Sequence, residues 1–352
     1  MAWLVLLALI LLFFSYRKLR GDDLGYLDSQ VLPAPVGEPS QAHHDIVEGL
    51  NEFAGSGNSL RGKARIYAIR EYMDSMSDGR EYDSEIRAVH QGQLQGEWVL
   101  APGADSRRRL LYIHGGAFFA GSPRSHRNIT DRLSRLTNSA VFALDYRLMP
   151  EHKRIDGILD CRNAYRWLLA NGPEGPEELD YLLIAGDSAG GSLTLGTIAW
   201  ARDEGLRPVN AAIAFSPRTV STFSSPSWRS NLASDPMLGP GFGQLLKFPR
   251  LALLWSAWFT YRILPSDPKI SPLRGDLVGL PPVLVQASEA EMLLDDARRY
   301  VRKAELSGSP VVLQTWPHMV HVWQIFTPEL PEAEEAYTNI AEFLETMDSS
   351  EA

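Results

Sequence analysis

From about residue 109 onward, short apolar runs alternate with longer segments in which apolar residues recur every three or four positions. The runs at 109–113, 141–145, 181–185, 209–215, 282–287 and 311–316 have strand length and few polar interruptions, as strands covered on both faces do. The segments 156–170, 192–204, 297–306 and 332–347 each carry one apolar face and are predicted helices. Such alternation predicts an α/β fold, a mostly parallel sheet flanked by helices. The run at 172–176 is predicted as a loop.

Ahead of this pattern the chain is organised differently. Residues 2–14 are unbroken apolar and are followed by Ser15, Tyr16 and the cations Arg17, Lys18 and Arg20. A helix of ~15 residues rises about 22 Å, short of the ~30 Å bilayer core, so the segment suits a short span, a signal core or an anchor lying on the surface. No cation precedes the run, and no small-residue cleavage site follows it. The expectation is therefore an N-terminal membrane anchor at 1–20, with the following domain cytoplasmic by the positive-inside rule. A Pro- and Gly-containing stretch at 22–58 leads to a helix at 60–76 with Ile66, Ile69, Tyr72, Met73 and Met76 on one side. A second departure is the insertion at 218–264, whose LALLWSAWF run at 251–259 suits a buried helix, a pocket wall or a membrane-resting surface.

Chemistry enters at GDSAGG, residues 186–191, which an apolar strand leads into directly. A Ser at so sharp a strand-to-helix turn needs small neighbours, which makes Ser188 a candidate nucleophile. Upstream, the strand at 109–113 empties into His114, Gly115, Gly116, Ala117 and Phe118. The amides of Gly115 and Gly116, with that of Ala189 after the nucleophile, are candidate oxyanion donors. Of eight His, only His318 and His321 follow the last strand. His321 lies in MVHVWQIF among bulky apolar residues that can hold a ring, so it is the candidate base; His318 follows Pro317 and suits a solvated loop. His114 is expected to brace the oxyanion loop, and no His has metal-ligand spacing. Behind the strand at 282–287 stand Glu289, Glu291, Asp295 and Asp296. The two Asp open a helix and suit caps, which leaves Glu289 or Glu291 to orient the imidazole.

These motifs, together with DYRLMPE at 145–151, SDPMLGP at 234–240 and the stretch from DPKISPLRGD to EAEMLLDD, resemble those of the hormone-sensitive-lipase-like carboxylesterases over residue 110 to the C-terminal helix. The resemblance implies an α/β-hydrolase fold with a helical cap, the triad Ser188, Glu291 and His321, and an acyl-enzyme route for short- to medium-chain acyl esters. It selects Glu291 through the acidic-x-Leu-x-Asp pattern at 291–295, with Asp295 as fallback. It leaves open an aryl ester or amide deacetylase, a lipase, and a non-catalytic small-molecule receptor on the same fold, against which the retained His321 argues. The chain departs from the family at Ala117, where relatives carry a third Gly, and in HKRIDGILD, where they commonly carry Pro near Arg154. Implied divisions are the anchor at 1–20, a cap segment at 21–80, core at 81–217, a cap insertion at 218–264 and core at 265–352.

Composition narrows the rest. At 352 residues with 45% apolar content, the chain can fill one large core. A net charge of −9 argues against nucleic acid or an anionic surface as electrostatic partner. The single Cys161 excludes an intrachain disulfide. The expected partner is a small-molecule ester, with no cofactor and a possible homodimer.

Overall fold

The computed structural model describes residues 2–28, 37–56 and 60–351. In chain order the elements are α1 (Ala2–Arg20), α2 (Gln41–Ser56), α3 (Gly62–Ser75), β1 (Glu85–Gln91), β2 (Leu94–Leu100), β3 (Asp105–Ile113), α4 (Arg127–Thr137), β4 (Ser139–Leu144) and α5 (Arg154–Leu168). There follow β5 (Asn171–Gly172), β6 (Gly175–Pro176), β7 (Tyr181–Asp187), α6 (Ala189–Asp203), β8 (Ala211–Phe215), the single turns α7 (Ser227–Ser230) and α8 (Gly239–Phe242), and α9 (Arg250–Tyr261). The chain closes with β9 (Val283–Ser288), α10 (Leu294–Leu306), β10 (Val311–Trp316) and α11 (Pro331–Glu351).

Among the described residues, eight strands form one sheet in the order β1-β2-β4-β3-β7-β8-β9-β10. The pairs β1–β2 and β2–β4 are antiparallel, and every later pair is parallel. Because side chains alternate across a strand, Leu111, Ile113, Phe142, Leu182 and Ile184 join one core cluster, while Leu110, Tyr112, Val141, Leu183 and Ala185 join another. From β3 the chain first builds outward to β4 and later returns to the opposite side as β7. This reversal opens a crevice at the carboxyl ends of β3 and β7, the place where open α/β sheets bind ligands.

Several elements differ from expectation. The predicted loop at 172–176 contains part of the β5–β6 hairpin. Strands β1 and β2, a polar antiparallel ribbon at the sheet edge, were outside the apolar-run pattern because β1 is largely exposed, with burial alternating weakly. Helix α2 lies within the stretch read as Pro- and Gly-containing; its Leu50 is buried in the cluster that holds Trp316, Met319, Val320 and Trp323. Of the expected segment at 21–80, residues 29–36 and 57–59 lie outside the described residues. The 251–259 run is the middle of α9, a half-buried helix with Leu253, Leu254, Ala257 and Tyr261 turned inward.

The expected membrane anchor at 1–20, and the cytoplasmic placement derived from it, are overturned: among the described residues no helix is long and apolar enough to cross a membrane. The apolar part of α1 gives out at Phe14, and its last turn carries Arg17, Lys18 and Arg20. That last turn is part of the folded body. Leu19 is buried, the Lys18 carbonyl accepts from Ser266 Oγ at 3.0 Å, and the Arg20 carbonyl accepts from Arg274 Nη2 at 2.6 Å.

Candidate active site

Ser188 stands between the end of β7 and the start of α6 with φ 52° and ψ −112°, a conformation that costs a non-Gly residue about 1–3 kcal/mol. The strain is held from both sides, since the Ser188 amide donates to Phe215 O at 2.8 Å and its carbonyl accepts from the Ser192 and Arg218 amides. Gly190 is required for clearance: a Cβ there would lie 1.9 Å from the Ile113 carbonyl oxygen, so α6 can cross the end of β3 only without a side chain. The small residues around Ser188 therefore serve the packing that exposes its hydroxyl.

His321 comes from the loop after β10 and Glu291 from the loop after β9. His321 Nε2 lies 2.8 Å from Ser188 Oγ, and His321 Nδ1 lies 2.5 Å from Glu291 Oε2. Both the ring and the carboxylate are buried, while Ser188 is half-buried. Burial works against a charged imidazole, but the hydrogen bond and charge of Glu291, with Asp235 and Asp187 beyond, outweigh it and hold His321 above its usual value of 6.5. The other Glu291 oxygen accepts from the Ser288 amide at 3.0 Å. The remaining acids are engaged elsewhere. Glu289 pairs with Arg298 at 2.5 Å, Asp295 accepts from the Ser227 amide at 2.8 Å, and Asp296 reaches the amides of Thr219 and Val220. His318 is exposed at φ 64°, away from Ser188's hydrogen bonds.

The loop after β3 corrects one expectation. The Gly115 amide donates to Asp187 Oδ1 at 2.9 Å and is not free to meet an oxyanion. Among the described residues the amides of Gly116, Ala117 and Ala189 donate to no protein group. Gly116 sits at φ 105°, where a side chain is disfavoured, and Ala117 follows at φ 56°, which accounts for a Gly being usual at that position. His114 braces the loop as expected: its ring stacks on Tyr146 with centroids 4.3 Å apart, its Nδ1 meets Gly115 O at 2.8 Å, and burial beside His126 pushes its pKa down to about 3. Tyr146 OH donates to His114 O at 2.9 Å, whereas Arg147 turns away to Asp160.

Comparison with known proteins places this geometry in a family. The family described as the alpha/beta hydrolase fold matches residues 110–325. An acetyl-hydrolase of Streptomyces hygroscopicus is 36% identical over 72% of this chain and 81% of its own length. An esterase of Acinetobacter venetianus is 35% identical over 75% of this chain and 83% of its own. The crystal structure of an esterase from the bacterial hormone-sensitive lipase family superposes with a TM-score of 0.75 at 31% identity, covering 88% of this chain and 99% of that one. The chain belongs to the hormone-sensitive-lipase-like carboxylesterases of the α/β-hydrolase fold.

Within this esterase, three further residues shape the site without having been singled out from sequence. Asp187, in the GDSAGG motif, is buried and accepts from Tyr112 OH at 2.6 Å as well as from Gly115. Burial raises its pKa, but the charge and hydrogen bond of His126, at 3.3 Å, and the Tyr112 hydroxyl pull it below the usual Asp value. His126, in the polar run SPRSHR, is thus a buried partner of that carboxylate. Asp235, in SDPMLGP, takes the Met292 amide at 2.8 Å and so fixes the loop that carries Glu291. An acidic residue inside a motif of small residues was the available signal for both Asp187 and Asp235.

Proposed function

We propose that Ser188, His321 and Glu291 hydrolyse carboxylic esters through an acyl-enzyme, with the amides of Gly116, Ala117 and Ala189 binding the oxyanion. The unbroken hydrogen-bonded chain from Glu291 through His321 to the Ser188 hydroxyl carries this reading. His321 takes the Ser188 proton as Oγ attacks the ester carbonyl, and Glu291 stabilises the imidazolium that results. The imidazolium returns its proton to the leaving alcohol, and water, activated by the same ring, releases the acid. Each oxyanion donor contributes about 3–4 kcal/mol in comparable sites.

The cap in this reading is built from 21–80 and 218–264, and it favours short to medium acyl chains by limiting the space above Ser188. Two contacts support it. Arg70 of α3 donates to Phe119 O at 2.7 Å and Met149 O at 3.0 Å, and Asn231 in the insertion donates to the carbonyls of Glu289 and Glu291. Pairing of two copies along the open edge of β10, where Val312 is exposed, belongs to the same reading.

An organophosphonate ester should label the enzyme stoichiometrically at Ser188, and hydrolysis of an acyl-length series should peak at short to medium chains and vanish in Ser188→Ala. Absence of labelling would point to a receptor, and a maximum on long-chain triglyceride would contradict the assigned chain length.

A further inference from the structure

Four arginines are buried among the described residues: Arg109, Arg154, Arg218 and Arg299. Two of them are fully served. Arg109 donates to the carbonyls of Ser106, Leu168, Glu177 and Glu178 and pairs with the Glu177 carboxylate at 3.2 Å. Arg299 grips Asp28 with two nitrogens at 2.6 and 2.9 Å. The other two are not. Arg154, 3% exposed, makes no hydrogen bond or ion pair among the described residues, and its Nε is sealed from solvent. The side chain of Arg218, a residue 8% exposed, gives one hydrogen bond among the described residues, from Nη1 to Tyr261 OH at 3.1 Å, while its Nε and Nη2 are buried without an acceptor.

Both unserved guanidinium groups border the reaction site. Arg154 lies over the ring of Phe118, 3.7 Å from its centroid, and Phe118 belongs to the oxyanion loop. The Phe118 ring meets Tyr261 edge-on with centroids 6.4 Å apart, and Tyr261 is the partner of Arg218. Arg218 is itself joined to the nucleophile's backbone, its amide donating to Ser188 O at 3.2 Å. The two cations therefore stand at opposite ends of one aromatic pair, with Arg218 joined through its backbone to Ser188.

Aromatic contacts do not satisfy them. The rings of Phe118, and of Phe223 and Trp228 around Arg218, attract the cationic charge but offer its N–H donors no oxygen acceptor. Deprotonation is no escape either, because burial lowers Arg154 only to about 10. Nearby carboxylates give these donors no hydrogen bond: Asp296, whose charge acts on Arg218, bonds Thr219, Val220, Ser225 and Trp228, Asp160 holds Arg147, and Asp156 takes the Lys153 amide. A buried cation with donors left this way is stabilised by an anion that arrives to share them.

We propose that Arg154 and Arg218 form an anion-recognition site, and that the preferred substrates are esters carrying a carboxylate on the portion that lies against Phe118 and Tyr261. This deepens the esterase reading and rests on it. It also gives the departure in HKRIDGILD a use, since Arg154 falls there.

Matched ester pairs test it on the whole enzyme. Monoethyl glutarate against ethyl valerate places the charge on the acyl side, and 4-acetoxybenzoate against 4-acetoxybenzamide places it on the alcohol side. The expected result is that the charged member of one pair is favoured by about tenfold or more in kcat/KM, and that Arg154→Met or Arg218→Met lowers this ratio by a similar factor. Preference for the neutral member in both pairs overturns the proposal. Should a variant fail to fold, the wild-type enzyme still decides: glutarate should inhibit hydrolysis of a neutral ester competitively and raise the melting temperature, and failure to do either overturns the proposal. Hydrolysis of neither member of either pair, with glutarate still raising the melting temperature, sinks the esterase reading and leaves the anion site standing.

Discussion

Two buried carboxylate–imidazole couples sit at the same end of the sheet and differ in what the second ring nitrogen meets. In Glu291–His321 the far nitrogen faces the half-buried Ser188 hydroxyl at 2.8 Å. In Asp187–His126 it faces the buried Ser125 Oγ at 2.8 Å and the Ser122 carbonyl at 3.2 Å. The contact within each couple differs too, 2.5 Å against 3.3 Å. The lesson is that the pair by itself is not the catalyst. In the proposed mechanism the couple whose ring ends on the half-buried Ser188 hydroxyl moves a proton, whereas the one whose ring ends on Ser125 Oγ and the Ser122 carbonyl holds the loop after β3 through the Gly115 amide bound to Asp187.

Replacing each ring breaks the comparison most directly. His321→Ala should lower kcat by about 10⁴-fold or more, while His126→Ala should cost no more than about 100-fold, because it loosens one loop and leaves the base in place. Equal losses in steady-state assays would remove the distinction. Replacing each carboxylate sharpens it. Glu291→Gln should cost up to about 10⁴-fold in kcat and Asp187→Asn about 10- to 100-fold. The pH profiles should also part. His321 must be neutral to act, so activity rises with pH through its raised pKa. Glu291→Gln removes the cause of that rise and should move the acid limb of kcat/KM to lower pH, whereas Asp187→Asn should move it far less.

The smallest expected effect concerns stability alone. Tyr112→Phe deletes one donor to the Asp187 carboxylate and should cost about 1.5–3 kcal/mol in urea unfolding, with the acid limb of activity unmoved. The two couples also bias stability in opposite directions with pH. His321, raised above 6.5, contributes stability fully present below that value and lost as pH rises through the folded pKa. Asp187, lowered below 3.8, contributes stability present above that value and lost as pH falls through the folded pKa.

Much of this was legible in the chain because buried parallel strands write continuous apolar runs, and the loops after them carry the reactive residues. The elbow at Ser188, the strand before it and the order of the later loops follow from that rule. What stayed hidden depends on contacts between distant segments. The Gly115 amide looks as free as that of Gly116 until Asp187, 72 residues later, is seen to accept from it. His126 lies in the polar run SPRSHR, and only packing of the segment before α4 under the loop makes it a buried partner. Arg154 reads as a surface cation at the start of α5, and its burial against Phe118 needs the fold.

The docking of the last turn of α1 has a practical corollary for protein engineering. Trp3, Leu4, Leu6, Leu7 and the run from Leu9 to Phe14 expose their side chains, yet the same helix packs on α9, whose Tyr261 meets the Phe118 ring edge-on. The helix works as a cantilever, greasy at its free tip and bolted at its root. A shortened gene that starts at Ser15 trims the tip and keeps the bolts, whereas one that starts after Arg20 strips away Leu19 and two carbonyl acceptors, leaving Ser266 and Arg274 short of partners.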